Sequence, residues 1–133
     1  TTASTGNSID GGDLGNPTSL IGAASNSVRG IWSGGRNKLA PSYTASFIQY
    51  RTLATSGVTQ YFGELYQPTE HTSSASTSTR VITGGGSDGS NKLNSIEYVT
   101  IASTGNALDF GDLMYARSAL AALSDSHGGL GGF

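Results

Sequence analysis

The chain has 133 residues, a formal net charge of −2, 20 glycines and no cysteine. The absence of cysteine excludes both a disulfide framework and a thiolate metal site. With no cluster of Lys and Arg, the chain lacks a surface that would release phosphate counterions, and no stretch approaches the roughly 18 apolar residues of a membrane span. We therefore expect neither nucleic-acid binding nor membrane insertion. Low charge with regularly spaced Val, Ile, Tyr and Phe favours packed β-structure.

One pattern recurs three times along the chain. A small-residue turn begins at Ala3, Ala54 and Ala102, and a Gly-acid-Leu triplet ends 11 residues later in each copy. The three triplets are Gly12-Asp13-Leu14, Gly63-Glu64-Leu65 and Gly111-Asp112-Leu113. A period of about 50 residues built from short strands is typical of a propeller or a repeat array.

The repeat predicts a single all-β array in which each unit has four antiparallel strands, named A to D. Residues 1–14 form the end of repeat 1, with strands C and D. Residues 15–65 form repeat 2 and residues 66–113 form repeat 3. Residues 114–133 begin repeat 4 with strands A and B. Since about three repeats are present and closed propellers have at least four blades, we expect a longer chain or an oligomer to complete the ring. The start at Thr1, inside a repeat, favours a fragment of a longer chain.

Strands A and B follow in chain order within each repeat. Strand A is expected at 18–24, 69–75 and 117–123. The last of these is rich in Ala and Leu and alone resembles a helix, but the two aligned segments are poor helix formers, so a strand is predicted. Strand B is expected from Arg29 and from Arg80, closing on the glycine pairs Gly34-Gly35 and Gly84-Gly85. Such a pair permits a bulge and the close approach of a neighbouring backbone.

Strands C and D are clearest in the third copy. Residues 96–102 are β-branched and aromatic, which predicts strand C, and 107–113 form the shorter strand D. The B–C loop differs in length between copies by three residues while the strand spacings stay fixed. Insertions belong in loops over a rigid framework.

These features resemble the kelch repeat of β-propellers. They comprise the small-residue strand, the glycine pairs, an aromatic in strand C (Tyr50, Tyr98) and an aromatic near strand D (Phe62, Phe110). The sequence of residues 96–113 is similar to kelch-like repeats of marine tailed phages, especially those of cyanobacteria. The resemblance implies four-stranded blades and a setting in a tail fibre or another virion surface protein. Phe62 and Phe110 stand where kelch blades usually carry Trp.

Recurrent acids near strand D have two interpretations. Asp10 with Asp13, Asp109 with Asp112, and Glu64 could supply carboxylates for a metal or for acid–base work, or they could bond local backbone N–H groups in tight turns. Their repetition favours turns. The glycine-rich stretch 84–91 lacks EF-hand spacing and is expected to be a flexible loop without calcium. No cofactor is expected.

Other polar residues are given structural or solvent-exposed roles. Arg29 and Arg80 are expected to bond carbonyls or a strand D carboxylate. Glu70 and His71 are expected to be solvated, and His127 exposed. Trp32 is either local core or an exposed contact residue. Candidate ligand-binding residues fall in the B–C and D–A loops, which share one face of a blade. They are Arg36, Lys38, Tyr43, Tyr66 and Lys92.

The predicted function is a non-enzymatic structural and adhesion module on the surface of a tailed-phage virion. Its expected partners are other virion proteins, further copies of the repeat, or a host-surface glycan. A cellular kelch-like protein-binding scaffold is the alternative. A propeller-type carbohydrate-active enzyme is the third hypothesis, and it is disfavoured because no acid–base pair or metal cluster is confined to one repeat.

Overall fold

The structure is a computed structural model, and it describes residues 6–37 and 43–124. Within these residues the chain is all-β, with two four-stranded antiparallel sheets and no helix. The first sheet contains β1 (Gly22–Ser25), β2 (Arg29–Ser33), β3 (Phe47–Thr52) and β4 (Gln60–Glu64). The second contains β5 (Ser73–Ser76), β6 (Arg80–Gly84), β7 (Ser95–Thr100) and β8 (Leu108–Asp112). Strand order in each sheet follows the sequence.

The two sheets repeat one another in detail. The pairing of the third and fourth strands shifts register between Ile48 and Gln49 in the first sheet and between Ile96 and Glu97 in the second. A bulge at the same place in both sheets bends the fourth strand in the same way. The two sheets are therefore equivalent units of one repeated sequence.

The sheets stack face to face. We call the face with Ile31, Ile48 and Tyr50 the front face of the first sheet, since cross-strand partners share a face. It lies against the back face of the second sheet, which carries Val81 and Val99. The core cluster joins buried residues of both sheets: Ile31, Ile48, Phe62, Leu65, Val81, Val99 and Ile101. Burial of each large aliphatic or aromatic side chain contributes about 1.5–3 kcal/mol.

Strand A is shorter than the sequence predicts and begins later. The expected spans 18–24 and 69–75 are observed as β1 and β5, because Leu20 and His71 adopt left-handed backbone with φ of 59° and 56°. A left-handed residue turns the chain and interrupts extended structure. Ala119 has φ of 56°, and 117–123 forms neither a strand nor a helix.

These three left-handed residues form a ladder across the repeats. The amide of His71 donates to the Leu20 carbonyl at 2.8 Å, and the amide of Ala119 donates to the His71 carbonyl at 3.1 Å. The alignment had already made these three positions equivalent. The repeated backbone conformation therefore extends into the start of repeat 4.

Two further expectations need correction. Residues 6–14 contain no strand, although strand D was predicted there, because no strand C among the described residues pairs with them. The glycine pair of repeat 3 is Gly85-Gly86, not Gly84-Gly85, since φ of 61° and 107° match those of Gly34 and Gly35 at 64° and 106°. Gly84 ends β6. The close backbone approach is confirmed, since a Cβ on Gly34 would lie 2.3 Å from the Thr69 carbonyl oxygen.

Candidate functional site

The loops that join strands B to C and D to A lie at one end of both sheets, which we call the loop end. Adjacent repeats meet there, since the Thr44 hydroxyl donates to the Asp88 carbonyl at 3.4 Å and the Thr69 amide to the Ala45 carbonyl at 3.0 Å. The described candidate binding residues Arg36, Tyr43, Tyr66 and Lys92 all belong to these loops. Lys38 lies outside the described residues.

Arg36 forms a two-pronged ion pair with Glu70 of the next repeat. Its Nε and Nη2 atoms lie 2.6 and 2.7 Å from the two carboxylate oxygens, and these bonds raise the pKa of Arg36. The side chain of Glu70 is only 4% exposed, so the expectation that Glu70 is solvated is wrong. A buried carboxylate needs such a partner because desolvation penalises its charge. The pair joins repeats 2 and 3, and the aligned residues Ser19 and Ser87 cannot form it.

The other candidate residues project into solvent. Tyr66 is 90% exposed and Tyr43 is 59% exposed, and Lys92 is also exposed. Tyr43 has φ of 53°, a left-handed conformation that directs it out of the B–C loop. Aromatic surfaces exposed to this degree are typical of contact residues, since they bury a large area at a low entropic cost.

Beside Tyr66 is a cavity of about 370 Å³ lined by Tyr66, Ser95, Glu97 and Asp109. Glu97 is 6% exposed, and its carboxylate accepts the Tyr66 amide at 2.8 Å. Burial raises the pKa of Glu97, and the neighbouring charge of Asp109, its cross-strand partner, raises it further. The cavity therefore presents two acidic acceptors beneath an exposed ring.

Glu97 is not among the binding residues predicted from the sequence, although the repeat contains a signal for it. The aligned residue in the first sheet is Gln49, whose side chain accepts the Asn16 amide at 3.0 Å, at the junction of repeats 1 and 2. Glu97 uses a charged group to accept an amide of the equivalent connection, one residue earlier in the alignment. A buried carboxylate where the repeat elsewhere uses an amide distinguishes this position.

The recurrent acids near strand D act locally. The Asp10 carboxylate accepts the Gly12 amide at 2.8 Å, and Asp109 accepts the Gly111 amide at 3.1 Å, which confirms the turn interpretation for both. Glu64 accepts hydrogen bonds from the hydroxyls of Ser46 and Tyr61. Among the described residues no three His, Asp or Glu side chains are grouped as metal ligands.

The stretch 84–91 is a hydrogen-bonded turn centred on Asp88. The carboxylate accepts the amides of Ser90 and Asn91 at 2.8 and 2.7 Å. These bonds to the charged form lower the pKa of Asp88. The Asp88 carboxylate therefore closes the loop through backbone hydrogen bonds.

Arg29 bonds backbone carbonyls of the next repeat, as predicted. Its Nη1 atom donates to the carbonyls of Ile101 and Ala102 at 2.7 and 3.0 Å, and its guanidinium lies 4.8 Å from the centre of the Tyr50 ring. Arg80 keeps the ring contact, at 4.7 Å from Tyr98. No carbonyl acceptor for Arg80 lies within 6–37 and 43–124.

Trp32 and His71 add no further ligand group. Trp32 is half-buried against its own strand, since a Cβ on Gly30 would lie 2.8 Å from the indole ring. His71 is half-buried in the left-handed ladder, and His127 lies outside the described residues. No helix in the described part of the chain is long and apolar enough to cross a membrane.

Comparisons with known proteins leave the assignment to the geometry. No protein-family model matches the chain, and no curated protein matches it either.

Proposed function

We propose that the chain is a non-enzymatic structural and binding module whose four-stranded units are blades of a β-propeller. The observation that carries this proposal is the loop end, where Tyr66 is 90% exposed above a cavity containing the buried carboxylate of Glu97. The stacked sheets supply a rigid support, and the loops vary in length above it. This division between support and variable loops is typical of recognition modules.

The geometry favours a glycan as the ligand. Exposed tyrosine rings can pack against the apolar faces of sugar rings, while carboxylate and ammonium groups form hydrogen bonds with hydroxyls. Tyr66 provides such a ring, and Glu97 and Asp109 provide carboxylates in the cavity beside it. Lys92 adds an ammonium group at the same end of the sheets. Arg36 supports this surface by holding Glu70, so we assign it a structural role in binding.

The setting we propose is the surface of a tailed-phage virion, in a tail fibre or a similar protein. The resemblance of the repeat to kelch-like phage repeats supports this setting. In it, the loop end would bind a host-surface glycan or another virion protein. Flanking genes for tail or capsid proteins would support the setting, whereas flanking genes of cellular metabolism would favour a cellular scaffold.

A glycan array with matched variants tests the binding proposal. We expect binding by the wild-type chain, and a loss of about fivefold or more in the Tyr66→Ala variant, since removing a central aromatic contact costs more than about 1 kcal/mol. Lys92→Ala is expected to weaken binding less. Val58→Ala is the control, because Val58 is 58% exposed in the C–D turn at the opposite end. Absence of binding, or equal binding by the Tyr66 and Val58 variants, would contradict the proposal.

A further inference from the structure

The two sheets are held together at β4 by a short segment of the next repeat. The amide of Gly105 donates to the Phe62 carbonyl at 2.9 Å, and the amide of Ala107 donates to the Glu64 carbonyl at 2.8 Å. In return, the Glu64 amide donates to the Asn106 side chain at 3.1 Å. We call residues 105–107 the docking turn and residues 62–64 its seat.

Repeats 1 and 2 make the same contact, with a docking turn at residues 57–59 and a seat at residues 11–13. The amides of Gly57 and Thr59 donate to the carbonyls of Gly11 and Asp13 at 3.1 and 3.0 Å. Both seats have a glycine at their centre, because a Cβ on Gly12 or Gly63 would lie 2.1 or 2.0 Å from a carbonyl oxygen of the docking turn. The seat glycine is thus required by close approach of the next repeat.

A third seat lies at residues 110–112, and nothing in the described chain occupies it. A Cβ on Gly111 would meet no atom within 4 Å. Phe110 is 53% exposed, whereas the equivalent Phe62 is 2% exposed, and the neighbouring Leu108 is 58% exposed. The seat at 110–112 therefore matches the two filled seats in sequence, but its side chains remain exposed and no described residue covers its glycine.

A third docking turn lies at residues 6–8, and it has no seat within the described residues. The sequence Ala-Ser-Thr-Gly-Asn at 3–7 is identical to that at 102–106, which includes the seated glycine and asparagine. Ile9, next to this turn, is 92% exposed. Within residues 6–37 and 43–124, the stack thus has an unfilled seat at one end and an unseated docking turn at the other.

We propose that the seat at 110–112 binds the docking turn at 6–8 of a second copy of this chain. Gly6 and Ser8 would donate to the carbonyls of Phe110 and Asp112, and the Asp112 amide would donate to the Asn7 side chain. Arg80 beside Tyr98 would receive carbonyl acceptors as Arg29 does. Two different surfaces on one molecule form a head-to-tail contact, which closes into a ring when the rotation allows it.

Light scattering and sedimentation of the intact chain test this proposal. We expect a mass of two or more copies that falls on dilution. Phe110→Asp places a charge in the seat and is expected to give a monomer, with the near-UV circular dichroism of the folded chain retained. Asn7→Ala should weaken association about fivefold or more, the typical effect of losing one hydrogen bond.

Two controls separate association from folding. Asn106→Ala removes the equivalent bond within the chain, so it should lower the melting temperature of the monomer while leaving the association constant within about twofold. Tyr43→Asp, at the loop end, should change neither the mass nor the dilution behaviour.

Mixing distinguishes the head-to-tail contact from a symmetric one. Ser8→Pro removes a donor from the docking turn, so this variant and Phe110→Asp should each be monomeric alone. Their mixture retains one intact seat and one intact turn, so a dimer of the two variants should appear. A monomeric wild-type chain at its highest soluble concentration, or a mixture that stays monomeric, would overturn the proposal. Neither result bears on glycan binding, which is measured at the loop end.

Discussion

Glu97 and Gln49 occupy one position in the repeat and make the same bond with different chemistry. Each lies in the third strand of its sheet and accepts a backbone amide from the connection that leads into its own repeat. The amide of Gln49 remains neutral at every pH, whereas the carboxylate of Glu97 must be desolvated and lies beside Asp109. The charge is therefore the destabilising element at this position.

The Glu97→Gln variant is expected to be more stable than the wild-type chain at neutral pH, by about 1 kcal/mol. The folded pKa of Glu97 is raised, so the folded chain binds a proton more readily than the unfolded chain does. Wild-type stability should therefore fall as pH rises from the ordinary glutamate range through the raised folded pKa. Urea unfolding of the wild-type and Glu97→Gln chains across this pH range measures both free energies of unfolding.

Gln49→Glu is the reciprocal variant and should lose stability at neutral pH. If Glu97→Gln is no more stable than the wild-type chain above the ordinary glutamate range, burial of Glu97 has no energetic cost and the argument is wrong.

At the scale of elements, strand A is limited by the left-handed residue that precedes it. Leu20, His71 and Ala119 all adopt this conformation, which costs an L-residue about 1–2 kcal/mol. The ladder of backbone hydrogen bonds through the three positions holds the conformation in place. The repeated feature at this position is thus the backbone conformation, which Leu, His and Ala all adopt.

Leu20 offers a direct measurement of this strain. Leu20→Gly should be more stable than Leu20→Val by about 1–2 kcal/mol, because glycine adopts positive φ freely and a β-branched residue does not. The same two changes at Leu53, which is exposed and outside the left-handed region, should show no such advantage for glycine. Thermal unfolding of the four variants compares them, and equal values at Leu20 would remove the explanation for the short strand A.

The aromatic pairs of the two sheets have one geometry and two environments. Tyr50 and Phe62 meet edge to face at 5.7 Å, and Tyr98 and Phe110 meet at 5.9 Å. Phe62 is covered by the second sheet, while Phe110 is half exposed.

The same substitution should therefore have unequal effects in the two sheets. Phe62→Ala is expected to cost about 3–4 kcal/mol of unfolding free energy, because it opens a cavity between packed sheets. Phe110→Ala should cost about 1 kcal/mol or less in dilute, monomeric protein. Denaturant unfolding at low concentration measures both, and equal losses would mean that the second sheet is as well covered as the first.

Strands B, C and D could be predicted from sequence because β-branched and aromatic residues mark them and the repeat fixes their spacing. The limits of strand A could not be predicted, because Leu20, His71 and Ala119 share a left-handed backbone conformation but no common residue type that would indicate it. The choice among three consecutive glycines at 84–86 depended on backbone angles. The burial of Glu70 depended on Arg36, a partner 34 residues away that only the stacking of repeats brings near.

At the scale of the whole molecule, the first sheet is packed against other residues on both faces, whereas the second sheet is packed on fewer. The first sheet has residues 9–16 on its back face, where Arg51 bonds the Gly11 carbonyl, and the second sheet on its front face. The second sheet is covered on its back face only, within the described residues. A terminal unit of a stacked array is the first to open.

Hydrogen exchange should report this gradient. In dilute protein, the amides of β7 are expected to exchange faster than those of the equivalent β3, although both are central strands with the same pairing. At high concentration the difference should narrow, because a bound second copy would cover the free face. Equal protection of the two strands in dilute protein would contradict the gradient.

The docking turn and its seat have a consequence for how such a chain can change over generations. The docking contact is made from residues that each unit supplies on both sides, so gain or loss of a whole unit by recombination leaves this contact intact between the remaining units. The number of units can therefore change in a single genetic event. The exposed loop-end residues Tyr43, Tyr66 and Lys92 lie outside the docking turns and their seats, so they remain free to diverge one codon at a time.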